Sequence, residues 1–459
     1  MQSRTKKAPV SVALAALMVV GSVMPAVAAP KLTGNGQTVK NVIVLISDGM
    51  GYNQVLATDY YSTGKAGTAV YEKFPTNVAM STWSFGTDSP ADNALSIYNP
   101  NWYGDFEWAK KRPTDSAAAG TAMSTGTKSY DAAIGVDEAK MDLRHLSEDF
   151  EEMGRATGVV SSVQFAHATP ASFIAHEASR NNYSAIANKM IFDSSADVII
   201  GAGNPGFNDS GQPVNGSTRY VGGDATWAAL QTGSVMGADS NGDGIADAWT
   251  VIQEKADFEA LTTGDAPDRL IGIPQVGSTL QQGRGGDRYA DPYSVPLNDN
   301  VPTLKTMTEV ALNVLDNNDE GFFLMVEGGA IDWAGHANQS GRVIEEQLDF
   351  NDSVQAVCDW VQKNSNWGET LVIVTGDHET GYLTGTAGVF DDVMNNGKGN
   401  LPTMAWNSGD HTNQLIPFFA KGAGAETFKK LADEKDPLRG NYLDNIEISI
   451  AVRALIANN

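Results

Sequence analysis

Short, nearly uninterrupted apolar runs recur along the chain: NVIVLI (41–46), ATGVVSSV (156–163), DVII (197–200), GFFLMV (321–326), TLVIVT (370–375) and LIPFFA (415–420). Runs of this length predict buried parallel strands. Between them, TLKTMTEVALNVLDNN ahead of GFFLMV and VIEEQLDFNDSVQAVCDWVQKN ahead of TLVIVT carry the spacing of helices with one apolar face. The alternation predicts an α/β protein, a three-layer α/β/α sandwich with a central, mostly parallel sheet. No Pro-rich or Ser-rich linker, charge block or repeat divides residues 29–459, so they read as one domain with insertions at about 60–110, 203–300 and 384–408.

The amino terminus has a different pattern. Arg4, Lys6 and Lys7 precede an uncharged apolar run from Val10 to Val23, and Ala26-Val27-Ala28 follows with small residues at alternate positions. This predicts a secretory signal over residues 1–28, because the run is short for a bilayer span and a cleavage-site pattern follows it. Export to the periplasm or beyond is expected, with no membrane anchor after cleavage. The 459 residues hold 31 Lys plus Arg against 55 Asp plus Glu, a formal charge of -24. Such an acidic chain argues against a nucleic-acid-binding face. The single cysteine, Cys358, lies in an apolar helical pattern and reads as a core thiol.

What stands at the strand ends changes the picture from fold to chemistry. NVIVLIS runs into Asp48, SSVQFAHA into Thr169, FFLMV into Glu327 and LVIVTG into Asp377-His378. Ligands of open α/β sheets bind beyond the carboxyl ends of the strands. One such carboxylate could cap a helix, but three acidic ends flanked by glycine, in SDGMG, VEGGAID and TGDHETG, point to metal, since buried carboxylates must be paired or coordinated. Asp332 and His336, four positions apart, would share one side of a helical turn, and His411 follows Asp410. Mixed carboxylate and imidazole ligands suit zinc, and an oxygen set such as Asp48, Thr169 and Glu327 suits magnesium.

PTDSAAAGTAMSTG (113–126) reads as a helix start at Thr114, Asp115 and Ser116, with little side-chain bulk beside the Ser116 hydroxyl. The free amides of a helix start favour an anion such as phosphate, although a capped, close-packed helix has the same look. No His or Lys adjoins Ser116 in sequence to activate it, a task that zinc coordination can perform.

VLISDGMG, TDSAAAGTAMSTG, HATPASFIAHEASR, GFFLMVEGGAIDWAGH, LVIVTGDHE and HTN occur in an order and wording that resemble the alkaline phosphatases, from about residue 40 to residue 450. By that resemblance Ser116 is the nucleophile of a phosphoserine intermediate. Arg180 forks onto two phosphate oxygens and Asp115 orients it. The resemblance likewise implies a first zinc site at Asp332, His336 and His411, a second at Asp48, Asp377 and His378, and a magnesium site at Asp48, Thr169 and Glu327. It implies two Zn2+, one Mg2+, phosphate monoesters as substrates and a homodimer. Two positions depart from the branch of the family with Asp before Ala-Thr-Pro and Lys after Ile-Asp: His167 and Trp333 stand there, beside the expected magnesium and substrate-binding positions. The loss of a cation at 333 is expected to weaken binding of product phosphate.

Other patterns compete. GAGNPG (201–206) matches a dinucleotide fingerprint, but Pro205 denies it the following helix. GTAMSTGTKS resembles a phosphate-binding loop, but Thr127 separates Gly126 from Lys128, and the segment reads better as the helix behind Ser116. Asp239, Asn241, Asp243 and Asp247, with Gly244 at the bend, have the spacing of a Ca2+ loop, and equally that of a solvated Asn/Gly/Asp turn. The aromatic stretch 83–108 reads as packing. Two rivals to an exported phosphomonoesterase remain: a superfamily relative acting on phosphodiesters or sulfates, and a non-catalytic exported calcium- or phosphate-binding protein. Arg180 favours monoesters, because a diester has one fewer charged oxygen to clamp.

Overall fold

In the computed structural model, successive side chains of β1 (Asn41–Ser47) turn to opposite sides, as the two-residue period of a strand requires. Val42, Val44 and Ile46 enter one hydrophobic core, and Ile43 and Leu45 enter another. Both faces of the strand are therefore covered, which is why its sequence is apolar throughout. The structure describes residues 39–86, 97–102, 105–240 and 244–457. The signal pattern of residues 1–28 lies outside them. Among the described residues no helix is long and apolar enough to cross a membrane.

The remaining strands are β2 (Thr76–Ser81), β3 (Ala156–Gln164), β4 (Val198–Ala202), β5 (Thr250–Ile252), β6 (Leu270–Gly272), β7 (Phe322–Gly328) and β8 (Thr370–Thr375). Then come four two-residue strands, β9 (Glu379–Thr380), β10 (Leu383–Thr384), β11 (Ala405–Trp406) and β12 (His411–Thr412), followed by β13 (Ile416–Gly422), β14 (Glu434–Asp436) and β15 (Gly440–Asp444). Eleven strands form the central sheet in the order β14-β15-β2-β13-β8-β1-β7-β3-β4-β6-β5. The run from β8 to β5 is parallel. The helices Ser116–Thr125, Leu146–Glu152, Ala168–Ile174 and Glu447–Ile456 supply residues to one core, and Leu304–Leu315 and Ser340–Asn364 to the other. The chain is an α/β/α sandwich, as the alternation of runs predicts.

One apolar run needs correction. LIPFFA becomes β13, which is antiparallel to both β8 and β2. Burial on both faces sets its composition, and composition carries no direction. Two of the segments expected as insertions also contribute to the sheet: β2 lies in 60–110, between β13 and β15, and β5 and β6 lie in 203–300 at one edge. Cys358 is 2% exposed on the Ser340–Asn364 helix, inside the core. GAGNPG leaves β4 into turns and bridges rather than a helix, as Pro205 requires. The aromatic stretch packs on itself and on a distant turn: Trp102 stacks on Trp108 at 5.7 Å, and Phe106 on Tyr382 at 4.2 Å.

Candidate metal and nucleophile site

β8, β1, β7 and β3 are neighbours in the sheet and parallel, so their carboxyl ends open at one place. Asp48 follows β1, Glu327 is near the end of β7, Asp377 follows β8, and Thr169 lies in the first turn of the helix after β3. Close approach of these ends depends on glycine. Gly49 has φ +82°, and a Cβ there would come within 2.8 Å of Asp332 Cα, so only glycine lets Asp48 and the Ala330–His336 helix meet. That helix places Asp332 and His336 on one side, with His336 Nε2 and Asp332 Oδ1 3.4 Å apart.

Ser116 opens the helix Ser116–Thr125, whose cap is Asp115: Oδ1 accepts from Ala118 N at 2.9 Å. The other oxygen, Oδ2, accepts from Ala132 N at 3.0 Å and from Arg180 Nη1 at 2.9 Å. One carboxylate thus fixes both the helix carrying Ser116 and the guanidinium beside it. Gly120 allows this helix to seat against Ala168–Ile174, since a Cβ there would fall 2.1 Å from Ser172 Oγ. Folding also brings Ser116 Oγ to 3.2 Å from His378 Nε2, a neighbour 262 positions away that no local pattern reveals.

The oxygen and imidazole groups crowd together without compensation. His378 Nε2 is 3.2 Å from Asp377 Oδ2 and 3.6 Å from Asp48 Oδ1, and its ring stacks on His411 at 3.5 Å. Asp48 Oδ1, Thr169 Oγ1, Glu327 Oε1 and Asp377 Oδ2 are buried and lack hydrogen-bond partners among the described residues. Burial, followed by the charges of Asp377, Asp332 and Glu327, pushes Asp48 well above its ordinary value. Burial likewise raises Glu327 to about 7 and, with the Asp332 charge, Asp377 to about 6. A cation would remove this repulsion and occupy the unpartnered oxygens.

The imidazoles give the same result independently. His336 Nδ1 contacts Gly409 O at 2.8 Å and His411 Nδ1 contacts Thr114 O at 2.8 Å, so each Nδ1 carries the proton and donates it. The two Nε2 atoms then face one another at 3.0 Å with Asp332 Oδ1 3.4 Å from each. Two lone pairs at that distance need a positive charge between them. In the metal-free chain a proton serves: burial lowers His411, but Asp332 and the Thr114 carbonyl outweigh it and raise His411 to about 9. A backbone carbonyl on the outer nitrogen is also the usual support of a metal-binding histidine.

Two groups of potential ligands are therefore assembled, Asp332 with His336 and His411, and Asp48 with Asp332 and His378. A third, His145 with Glu148 and His176, lies elsewhere. There Glu148 Oε2 accepts from His145 N at 2.7 Å and His176 Nε2 is 2.8 Å from Leu143 O, while the buried His145 Nε2 has no hydrogen-bond partner among the described residues.

Ser116, Arg180, Asp332, His336 and His411 line one cavity of about 530 Å³. His167 and Trp333 line it too, edge to face at 5.5 Å, and burial together with the Arg180 charge lowers His167 to about 3. Asp209, Gln282, Gly283 and Arg288 complete the wall, and the sequence reading singled out none of them. For Gln282, Gly283 and Arg288 the only sequence signal is the Gly-rich, basic stretch QQGRGGDR in an acidic chain, and Asp209 has none. In the 239–247 loop, Asn241 and Asp243 lie outside the described residues. Asp239 Oδ2 accepts from Gly244 N at 2.7 Å, and Asp247 Oδ2 from Ser240 N at 2.9 Å.

Known proteins place this geometry. The family model for alkaline phosphatase matches residues 39–405. Alkaline phosphatase 3 of Bacillus subtilis is 32% identical over 378 residues, covering 81% of this chain and 68% of that protein. The Escherichia coli alkaline phosphatase is 29% identical over 420 residues, 86% of this chain and 84% of its own length. The solved alkaline phosphatase of the Antarctic bacterium TAB5 superposes with a TM-score of 0.62 at 28% identity, covering 92% of this chain and all of that one. A variant of the TAB5 enzyme, 26% identical with a TM-score of 0.62 over 92% of this chain and 99% of its own, was solved with Mg bound in its M3 site. The chain belongs to the alkaline phosphatase family and is a phosphatase.

Proposed function

We propose that the protein is an exported, metal-dependent phosphomonoesterase that works through a phosphoserine on Ser116. The observation that carries this reading is the set of buried, unpartnered oxygens of Asp48, Thr169, Glu327 and Asp377, gathered with three imidazoles beside a serine at a helix start. Asp332, His336 and His411 would hold one zinc, Asp48, Asp377 and His378 a second, and Asp48, Thr169 and Glu327 a magnesium. Bound there, the ions would supply Lewis-acid stabilisation of the entering and departing oxygens and lower the pKa of the serine hydroxyl.

The chain's own groups do the rest. Arg180, held by Asp115, grips two nonbridging oxygens and turns phosphorus toward Ser116 Oγ. The amides at the start of Ser116–Thr125 add positive potential on the same side. Ser116 Oγ bonds to phosphorus as the bond to the alcohol oxygen breaks. Water then attacks the phosphoserine from the side the alcohol left, restoring the Ser116 hydroxyl and releasing inorganic phosphate. Two in-line displacements give net retention at phosphorus.

The rival substrates are diesters and sulfates. Hydrolysis of a nitrophenyl phosphate monoester against the matching diester, at alkaline pH with zinc- and magnesium-loaded protein, separates them. A strong monoester preference is expected, and a diester preference would keep the fold and overturn the substrate class. The same reading includes cleavage after residue 28 and a homodimer, with the 239–247 loop read either as a Ca2+ loop or as a solvated Asn/Gly/Asp turn. N-terminal sequencing of exported protein, light scattering and calcium-dependent melting test these three, and an uncleaved terminus, a monomer or an unmoved melting point would remove the cleavage, the dimer or the Ca2+ loop in turn.

A further inference from the structure

The substrate cavity holds a second arginine for which the mechanism has no use. Arg288 is exposed on the wall opposite in origin to Arg180, on the loop that joins Gln281 to Pro296. Every other described arginine has a partner: Arg180 pairs with Asp115, Arg284 and Arg342 with Glu345, Arg453 and Arg144 with Asp149, Arg155 and Arg269 with carbonyls, Arg219 and Arg439 lie over aromatic rings, and Arg112 is engaged as well. Arg288 has none among the described residues. In a chain with 55 acidic residues, an exposed guanidinium without an acidic partner among the described residues is free to meet an anion from solution.

The loop is built to keep it there. Arg284, 1% exposed, donates to Pro296 O at 2.9 Å, Gln281 O at 3.0 Å and Val295 O at 3.0 Å, and to both Glu345 oxygens at 3.0 and 2.9 Å. It therefore ties both ends of the loop to the long Ser340–Asn364 helix. The nearest acid in sequence, Asp287, is engaged by the backbone, its Oδ1 accepting from Tyr289 N at 2.9 Å. The acid on the same wall, Asp209, is also spent on backbone: Oδ1 accepts from Ser278 N at 2.5 Å, and its carboxylate lies against Gly277 and Gly283.

We propose that Arg288 forms a leaving-group subsite, which binds a second anionic group, a carboxylate or a further phosphate, on the alcohol half of the substrate. This rests on the phosphomonoester reading above. The transferred phosphoryl has its own clamp at the floor of the cavity, where Ser116 is 2% exposed and Arg180 is ion-paired. An exposed guanidinium on the wall of the same cavity is placed for the part of the substrate that projects away from that floor. Its planar donors fit a carboxylate or phosphate oxygen pair.

The test compares metal-loaded wild type, Arg288→Gln and Arg288→Lys on glycerol 3-phosphate, 3-phosphoglycerate and the bisphosphate of propane-1,3-diol. The wild type is expected to favour the two substrates with a second anion through KM. In Arg288→Gln the ratio of their kcat/KM to that of glycerol 3-phosphate falls about five- to tenfold, the worth of one charge-assisted contact at a partly exposed site. Arg288→Lys keeps part of the ratio, and added salt erodes it in the wild type. A fall confined to one of the two anionic substrates supports the subsite and names its anion. An unchanged ratio with turnover intact overturns this inference alone. So does an equal loss on all three substrates with weaker inhibition by inorganic phosphate, which would put Arg288 on the transferred group. Absence of turnover on all three overturns the monoester reading, and this inference with it.

Discussion

Asp115 does two tasks with one side chain, and the two could not be separated by reading the sequence. As a helix cap it was visible from its place before Ser116, but its hold on Arg180 spans 65 positions and needs the fold. The strand-end carboxylates were legible because the rule that ligands gather at carboxyl ends is topological. The Ser116 and His378 contact was not, for lack of any local signal. Neutral side chains line the cavity beside Arg180. His167 stays uncharged down to about pH 3, and Trp333 contributes no cation. Trp333→Lys is therefore expected to tighten inhibition by inorganic phosphate about tenfold, through one added charge-assisted contact. Inhibition no tighter than wild type would show that residue 333 does not reach the anion.

Elements buried on both faces were the most legible. β1, β3, β7 and β8 were found from unbroken apolar runs, and the helices before β7 and β8 from their spacing. Direction was not, as β13 shows, and neither were β5, β6, β14 and β15, whose three to five residues carry too little pattern to stand out from turns. The loop around Arg284 escaped for another reason: its order comes from one buried arginine, in an ion pair with Glu345 and bonded to three loop carbonyls, rather than from periodicity. That pair gives a sharp expectation. Arg284→Met leaves the buried Glu345 with Arg342 alone, at 3.3 Å, and strips the loop of three carbonyl bonds, and should cost about 3 kcal/mol in denaturant unfolding. Adding Glu345→Leu should deepen that loss, because Arg342, 2% exposed, is then buried without its carboxylate. A double variant as stable as Arg284→Met would mean that Glu345 does not hold these arginines.

At the scale of the molecule, a metal-free site is a store of unfavourable charge. The folded chain keeps the Glu327 proton to about pH 7 and the Asp377 proton to about pH 6, against ordinary values of 4.5 and 3.8. Between those limits the folded metal-free form binds more protons than the unfolded form, so these groups make it less stable as pH rises. Metal binding needs the same groups deprotonated and strengthens over the same range. The gap in Tm between metal-loaded and chelated protein should accordingly widen from pH 5 to pH 8. Comparing the two forms cancels titrations common to both. A gap independent of pH would mean that these carboxylates do not face the ion.

The central claim is that phosphoryl passes through Ser116. Its most direct measurement is acid quenching of the metal-loaded enzyme during turnover of a phosphate monoester, followed by peptide mass spectrometry. The account predicts a phosphate adduct on the peptide that carries Ser116, absent in Ser116→Ala together with turnover. Undiminished turnover in Ser116→Ala, or an adduct on any other residue, would contradict it.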